Sequence, residues 1–346
     1  IGDVQRLKRI GSKVVIVYFL MTVIACIVGI VMVNITHPGV GFTLDNMQAF
    51  DTSKVKTPSF VNFLFDMVPV NIVDSMAKNQ IMQMIFFTVL VGVALVSLGE
   101  KVAGVTKIFD QCASIIYKML DIVMLYSPIG VLALMANTTA VFGPKLFGVL
   151  AKFVFTDWVG CLLIWFFFSG IVWLYTKVNY LEMCKSMIPI WVNTIATNSS
   201  AGTIPITLNV TTERLKVPMS IASFSIPLGA TINLTGAALY KTILAFFVAE
   251  IYGLQLTIDQ ILMVIIISTI MSIAAPGIPG GGIVTGAIFL NLLGLPMDLM
   301  GPIAGMYRLI DMSHTTVNVS GDVLGTMLVA KNENIWTGED FNKTLV

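Results

Sequence analysis

Runs of almost unbroken apolar residues recur along the chain, at 14–34, 82–98, 122–136, 159–175, 242–257 and 261–274. Each is close to the roughly 20 residues that cross a hydrocarbon core at about 1.5 Å per residue. A mean hydropathy of +0.90 lies far outside the soluble range. The pattern lacks the alternating ten-residue segments of a membrane barrel. The fold class this predicts is an all-α, polytopic membrane protein. A net charge of +1 leaves no nucleic-acid footprint. Cys26, Cys112, Cys161 and Cys184 have no metal-type spacing, and three of them lie in or beside apolar segments, where a free Cys is a small hydrophobe.

Charges sort the connections. Arg6, Lys8, Arg9 and Lys13 precede the first run; Lys101, Lys107, Lys177, Lys185, Arg214, Lys216, Lys331 and Lys343 fall at alternate connections. The connections between them hold fewer: Lys54 and Lys56 in 37–61, Lys145 in 139–147, none in 253–260. The positive-inside rule places the first set, with both visible termini, in the cytoplasm. Segment 181–214 then begins and ends on the cytoplasmic side, and 258–297 on the opposite side. A single span cannot do that. Each carries a breaker in its middle, "TNSSAGTIP" (197–205) and "SIAAPGIPGGG" (272–282). Both read as helical hairpins that enter and leave by one face. Polar tips at membrane depth must be buried in protein or line a cavity. One hairpin from each side, tips meeting centrally, is the arrangement of a transporter with a midplane site. Kinked ordinary helices are the alternative.

The scarce polar groups gather in "YRLIDMSHTTVNVSGD" (307–322). Arg308, Asp311, Thr315, Asn318 and Asp322 are spaced +3, +4, +3, +4, which lines one helical face, with His314 beside the row. An ionised Asp at membrane depth must face a partner, an ion or a cavity. A structural seam with Arg308 paired to Asp311 is the plainer alternative. A second polar break, "GATINLTGAALYK" (229–241), predicts local unwinding around Gly229, Asn233 and Gly236. Unwound carbonyls, the Asn318 amide and the Asp322 carboxylate suit a hard cation. Hairpin helices with inward N-termini suit a substrate carboxylate.

"TNSSAGTIP", "SIPLGATINLTG", "APGIPGGG" and "DMSHTTVNVSGD", in this order and spacing, resemble the signature stretches of the glutamate-transporter family, the dicarboxylate/amino acid:cation symporters. The resemblance runs from about residue 5 to 333. It implies eight transmembrane helices and two re-entrant hairpins per protomer, a homotrimer in the plasma membrane's lipid bilayer, and a transport domain that slides elevator-fashion on a scaffold. On that comparison the chain starts at the family's third helix, its first two helices being absent from the sequence. The implied domains are a transport helix at 5–36, scaffold helices at 62–138, and a transport domain at 145–330. The last comprises a helix at 145–176, a hairpin at 181–214, a broken helix at 219–252, a hairpin at 258–294 and a helix at 296–330.

The resemblance also implies roles. Asp311 takes the substrate's amino group, with Thr315 and Asn318 as polar contacts and the Ser199 and Ser200 backbone at its α-carboxylate. Ile278, Pro279, Gly280 and Gly282 form the gating tip. Gly229, Asn233, Asn318 and Asp322 ligate one Na⁺, and the backbones of Thr231, Ser272, Ile273 and Ala275 a second. His314 stands where acidic-substrate members carry an Arg, and imidazole does not reproduce the bidentate fork. A protonated His314 suits an acidic side chain, a neutral one a polar or neutral side chain. Of a third Na⁺ site only Tyr18, Thr22 and Asn233 remain, with Met21 where a Thr is expected; that site is predicted lost or weakened. Lys241 replaces a proton-linked Glu of animal members. The expected function is secondary symport of an amino acid coupled to Na⁺, with H⁺ as a further coupling ion. A C4-dicarboxylate symporter and a passive channel are the alternatives. Without an HExxH or GxSxG motif, and with only His37 and His314, no enzyme is expected.

Overall fold

The structure is a computed structural model, which describes residues 4–42, 65, 67–78, 80–143, 145–273, 277 and 279–343. Ala275, Ile278, Lys54 and Lys56 lie outside these residues. The described residues are helical, with no strand among them. In chain order the helices are α1 (Val4–Thr36), α2 (Ile72–Ala77), α3 (Ile81–Leu98), α4 (Ala103–Leu125), α5 (Ser127–Phe142), α6 (Lys145–Thr176), α7 (Tyr180–Thr197) and α8 (Ser200–Asn209). They continue as α9 (Met219–Ile232), α10 (Thr235–Ile251), α11 (Ile258–Ile273), α12 (Gly281–Leu292), α13 (Met300–Asn332) and α14 (Gly338–Asn342). Arg9–Thr36, Met82–Ile116, Lys145–Thr176 and Met219–Ile251 are long and apolar enough to cross a membrane.

The chain divides into two compact units. One is Ile1–Lys56 with Phe142–Val346, the other Thr57–Val141. Within the smaller unit, α2 is capped by Asn71, whose side chain accepts from Val73 N, and α3 and α4 expose large apolar residues such as Val93, Val96 and Ile115. Such a surface has no place in water but suits hydrocarbon or protein contacts.

The larger unit is built around α10, buried along its whole length except at Phe246 and Glu250. That explains its lack of a polar stripe: it has no solvent face to supply. Small residues let neighbours close in on it. A Cβ on Gly29 of α1 would stand 3.0 Å from Thr242 Cβ, and one on Gly160 of α6 3.0 Å from Leu239 Cδ2. Helix α6 keeps an apolar outer face of Phe155, Leu162, Phe166 and Leu174. At the opposite end of α1, Arg9 and Lys13 hold Glu333, just past α13, at 2.7 and 2.6 Å. The hydrogen bonds from Lys13 and then Arg9 hold the Glu333 carboxyl below the usual glutamate range.

Both expected hairpins are helix–break–helix pairs. Between α7 and α8, Asn198 takes the left-handed conformation (φ +52°), and Ser199 caps α8 by accepting from Gly202 N at 3.0 Å. Between α11 and α12, Gly280 supplies φ +77° ahead of Gly281. The two tips touch: Ala201 N donates to Gly277 O at 3.3 Å, and Ser199 Oγ lies 3.4 Å from the same carbonyl. The unwinding between α9 and α10 is confined to Asn233 and Leu234, which leave helical backbone at ψ 55° and 61°.

Candidate substrate and cation site

Apart from Arg308, which is exposed, the polar row of α13 faces inward, with His314 beside it. Asp311, His314, Thr315, Asn318 and Asp322 are all buried in a protein that has few polar groups to spare. A narrow cavity gathers Asp311, His314, Thr315 and Asn318 with Ser200 and Asn198 of the first tip, Gly277 and Gly282 of the second, and Tyr307. Among the sequence-nominated residues, Ser200, Gly282, Asp311, His314, Thr315 and Asn318 thus share one space. Ser199, Pro279 and Gly280 are not among the lining residues, although Ser199 lies between two that are and Gly280 bonds to Asp311.

Asp311 meets the second tip directly: Gly280 N donates to Asp311 Oδ2 at 3.1 Å. Arg308 does not pair with it. Its guanidinium reaches Ala196 O at 3.2 Å, while Asn198 Nδ2 donates to the Arg308 carbonyl at 3.0 Å. The Arg308–Asp311 seam considered from the sequence is therefore not formed; the arginine ties α13 to the end of α7 instead. The N-termini of α8 and α12 both open on this region, and helix N-termini present unpaired N–H groups and partial positive charge. Gly282 is required here, since a Cβ would run into the Tyr307 hydroxyl.

Farther along α13, Asp322 Oδ1 accepts from Asn233 Nδ2 at 2.9 Å. That bond fixes which end of the Asn233 amide is oxygen, and Asn233 Oδ1 is buried with no hydrogen-bond partner. Asn318 Oδ1 accepts from Gly236 N at 2.7 Å. A Cβ on Gly229 would overlap Asp322 Oδ1. Gly229, Asn233 and Asp322 are thus one contiguous group, joined to Asn318 through the backbone after the helix break. Among the described residues no basic side chain pairs with Asp322. A buried carboxylate without a countercharge, beside an orphaned amide oxygen, is costly, and an oxygen-preferring cation suits it.

The second nominated cation set is less gathered. Thr231 is exposed at the end of α9, its hydroxyl turned back to Leu228 O at 2.7 Å. Ile273 is exposed at the end of α11, and Ser272 Oγ accepts from Lys241 Nζ at 3.3 Å. Lys241 is fully buried; its other described partner is Ala237 O at 3.3 Å. At the remnant third site, the Tyr18 hydroxyl stands 3.1 Å from the carbonyls of both Ser225 and Asp322, and Thr22 Oγ1 donates to Tyr18 O. The Met21 methyl and Asn233 Nδ2 crowd the same point, 3.1 and 3.0 Å from where a Gly321 Cβ would stand.

One residue of the candidate site escaped the sequence reading. Asp157 of α6 is fully buried, with Oδ1 2.8 Å from His314 Nε2 and Oδ2 accepting from Ser313 Oγ at 3.1 Å. Its signal was available: it is the lone carboxylate within α6, just before the apolar run 159–175. Cys161 completes a buried trio whose ligand-type atoms fall within 4.8 Å of one another. The 2.8 Å Asp157–His314 spacing is that of a hydrogen bond. Two ligands about 2.0–2.1 Å from one tetrahedral zinc would sit roughly 3.3 Å apart.

Comparison with known proteins adds the following. The profile of the Sodium:dicarboxylate symporter family matches residues 1–332. A proton/glutamate-aspartate symporter of Escherichia coli (strain K12) is 32% identical over 344 residues, covering 96% of this chain and 78% of that protein. The protein of the same description from Bacillus subtilis (strain 168) is 30% identical, over 98% of this chain and 83% of its own length. A C4-dicarboxylate transport protein of Bacillus subtilis (strain 168) is 30% identical, over 96% and 80% respectively.

Proposed function

The chain belongs to the Sodium:dicarboxylate symporter family, and from that premise we propose that it carries an amino acid across the plasma membrane in symport with Na⁺. The family is one of transporters, and the relatives named above are described as proton symporters or a C4-dicarboxylate transport protein, not as enzymes. The observation that carries the reading is Asp311. Its carboxylate borders a cavity where two hairpin tips meet and two helix N-termini open. A carboxylate beside N–H-rich tips complements a zwitterion: ammonium on Asp311, α-carboxylate at the Ser199–Ser200 backbone. On this reading Thr315 and Asn318 orient the substrate, and Pro279, Gly280, Ile278 and Gly282 form the tip that covers it.

Asp322, Asn233 Oδ1, Asn318 Oδ1 and the Gly229 carbonyl would hold one Na⁺, neutralising the buried carboxylate. Thr231, Ser272, Ile273 and Ala275 are assigned to a second. Asn318 joins the two functions: its amide belongs to both the cavity and the Asp322 group, so filling one rigidifies the other. Met21 argues that a third site is lost or weakened. Protons are a further coupling candidate, because relatives named above are described as proton symporters.

The larger compact unit is assigned as the moving transport domain and Thr57–Val141 as scaffold, with elevator motion, trimeric assembly and cytoplasmic termini as parts of the same proposal. A C4-dicarboxylate is the second candidate substrate, since one relative is so described. It would bring a second carboxylate towards Asp311, and Arg308 is engaged elsewhere. Uptake into proteoliposomes decides. The proposal expects a labelled amino acid to accumulate above its outside concentration under an inward Na⁺ gradient, and to leak out when the gradient is dissipated. Uptake that ignores every cation gradient would point to a channel; accumulation of succinate or malate but no amino acid would select the dicarboxylate reading.

A further inference from the structure

His314 borders the cavity, and its ring is held in place on more than one side. Tyr240 and Tyr307 pack against it with ring centroids 5.3 and 6.2 Å away. Asp157 takes Nε2 at 2.8 Å and is itself steadied by Ser313. A carboxylate only accepts, so Nε2 carries the hydrogen. The ring's remaining polar atom, Nδ1, is buried and has no hydrogen-bond partner. An unsatisfied buried polar atom is expensive, and because His314 lines the cavity, a group that enters the cavity is what can complete it.

The charge inventory limits what that is. No Lys or Arg is found among the described residues lining the cavity, and Arg308 is turned to the Ala196 carbonyl. Asp311 already contributes a negative charge there. Any positive charge on His314 is spent on Asp157, in contact and out of water. A side-chain carboxylate entering here would be an additional anion with no free countercharge. If the ring is neutral, Nδ1 bears a lone pair and repels that carboxylate outright. A hydroxyl or carboxamide both donates and accepts, so it completes Nδ1 in either state of the ring.

We propose that Asp157 is a specificity-determining positioning residue: through His314 it shapes the pocket for amino acids with a hydroxyl or carboxamide side chain, and against those with a carboxylate. This rests on the amino-acid reading of the cavity given above. Discrimination of this kind works partly by leaving the wrong substrate's charge unpaired.

The test is competition binding on the purified full chain in Na⁺ at fixed neutral pH, with L-serine, L-threonine, L-asparagine, L-aspartate and L-glutamate. The expected ranking places serine, threonine or asparagine at least about tenfold tighter than aspartate and glutamate. Asp157→Asn keeps an acceptor for Nε2–H but removes the anion. It is expected to move the aspartate-to-serine affinity ratio about tenfold or more towards aspartate. A merely structural role would weaken both alike, and an unchanged ratio overturns the assignment. The wild-type ranking stands even if the variant does not fold: aspartate or glutamate binding as tightly as serine overturns the inference while leaving the amino-acid site intact. Failure of every amino acid to bind removes the reading beneath it as well.

Discussion

Asp311 and Asp322 stand eleven residues apart on α13, three helical turns or about 16 Å along one face. Both are buried, and they are satisfied in opposite ways. Asp311 keeps 8% of its surface, lines a cavity and takes its hydrogen bond from the backbone of a hairpin tip. Asp322 keeps 1%, and its described partner is an Asn amide beside the helix break. Asp311 thus meets the backbone of a tip, whereas Asp322 is enclosed between helices. The first arrangement suits a group that must enter and leave with its own countercharge. The second suits a small ion whose shell is completed by oxygens already in place. On the proposed function, one helix offers two carboxylates to two cations of different kind, a substrate ammonium and a coupling ion.

The largest expected effects come from neutralising each carboxylate. Asp311→Asn should weaken amino-acid binding about 100-fold or more, because the substrate ammonium loses its buried partner. It should leave Na⁺ binding measured without amino acid within about threefold. Asp322→Asn should do the reverse and raise the Na⁺ half-saturation concentration by about 100-fold. Equal damage to Na⁺ binding in both variants would erase the distinction. Gly229→Ala should follow, with Na⁺ affinity lower by about tenfold, since its methyl displaces Asp322 Oδ1. Isothermal titration checks all three.

Lys241→Met is expected to raise the melting temperature by a few degrees. It removes a buried ammonium whose described partners are two neutral oxygens and fills the space with a thioether. The smallest effect belongs to the exposed end of α13. Glu333 sits below the usual glutamate pKa, so its pairs with Lys13 and Arg9 contribute stability above about pH 4.3, the unfolded value. That contribution is lost as pH falls through the folded value. Glu333→Gln should lower the melting temperature by about 1–2 °C at neutral pH and by nothing at pH well below 4, as read by thermal unfolding scans.

Much of this was legible in the chain itself. The +3, +4 spacing from Arg308 to Asp322 fixes one helical face, and the Gly/Pro-rich and Ser/Asn-rich interruptions mark the hairpin tips. Glycines and an Asn at 229–236 mark the helix break. These signals are local, carried by residues within a few turns of one another. Asp157 was hidden because its meaning depends on His314, which lies 157 residues away in sequence. Periodicity places Asp157 on an apolar helix but does not say what that helix packs against. Lys241 was noticed for its charge, whereas its contact with Ser272 comes from packing of α10 on α11. Arg308 is Asp311's partner only in the alternative seam reading, and its guanidinium goes to the carbonyl of Ala196 instead, which the spacing could not foresee.

The central claim is that a cation at Asp322 and an amino acid at Asp311 are linked through Asn318. Measuring amino-acid affinity while Na⁺ is replaced by choline tests it most directly. The account predicts that affinity rises at least about tenfold from choline to saturating Na⁺ in the wild type, and that Asp322→Asn flattens the dependence. An amino-acid affinity that is the same with and without Na⁺ would contradict it.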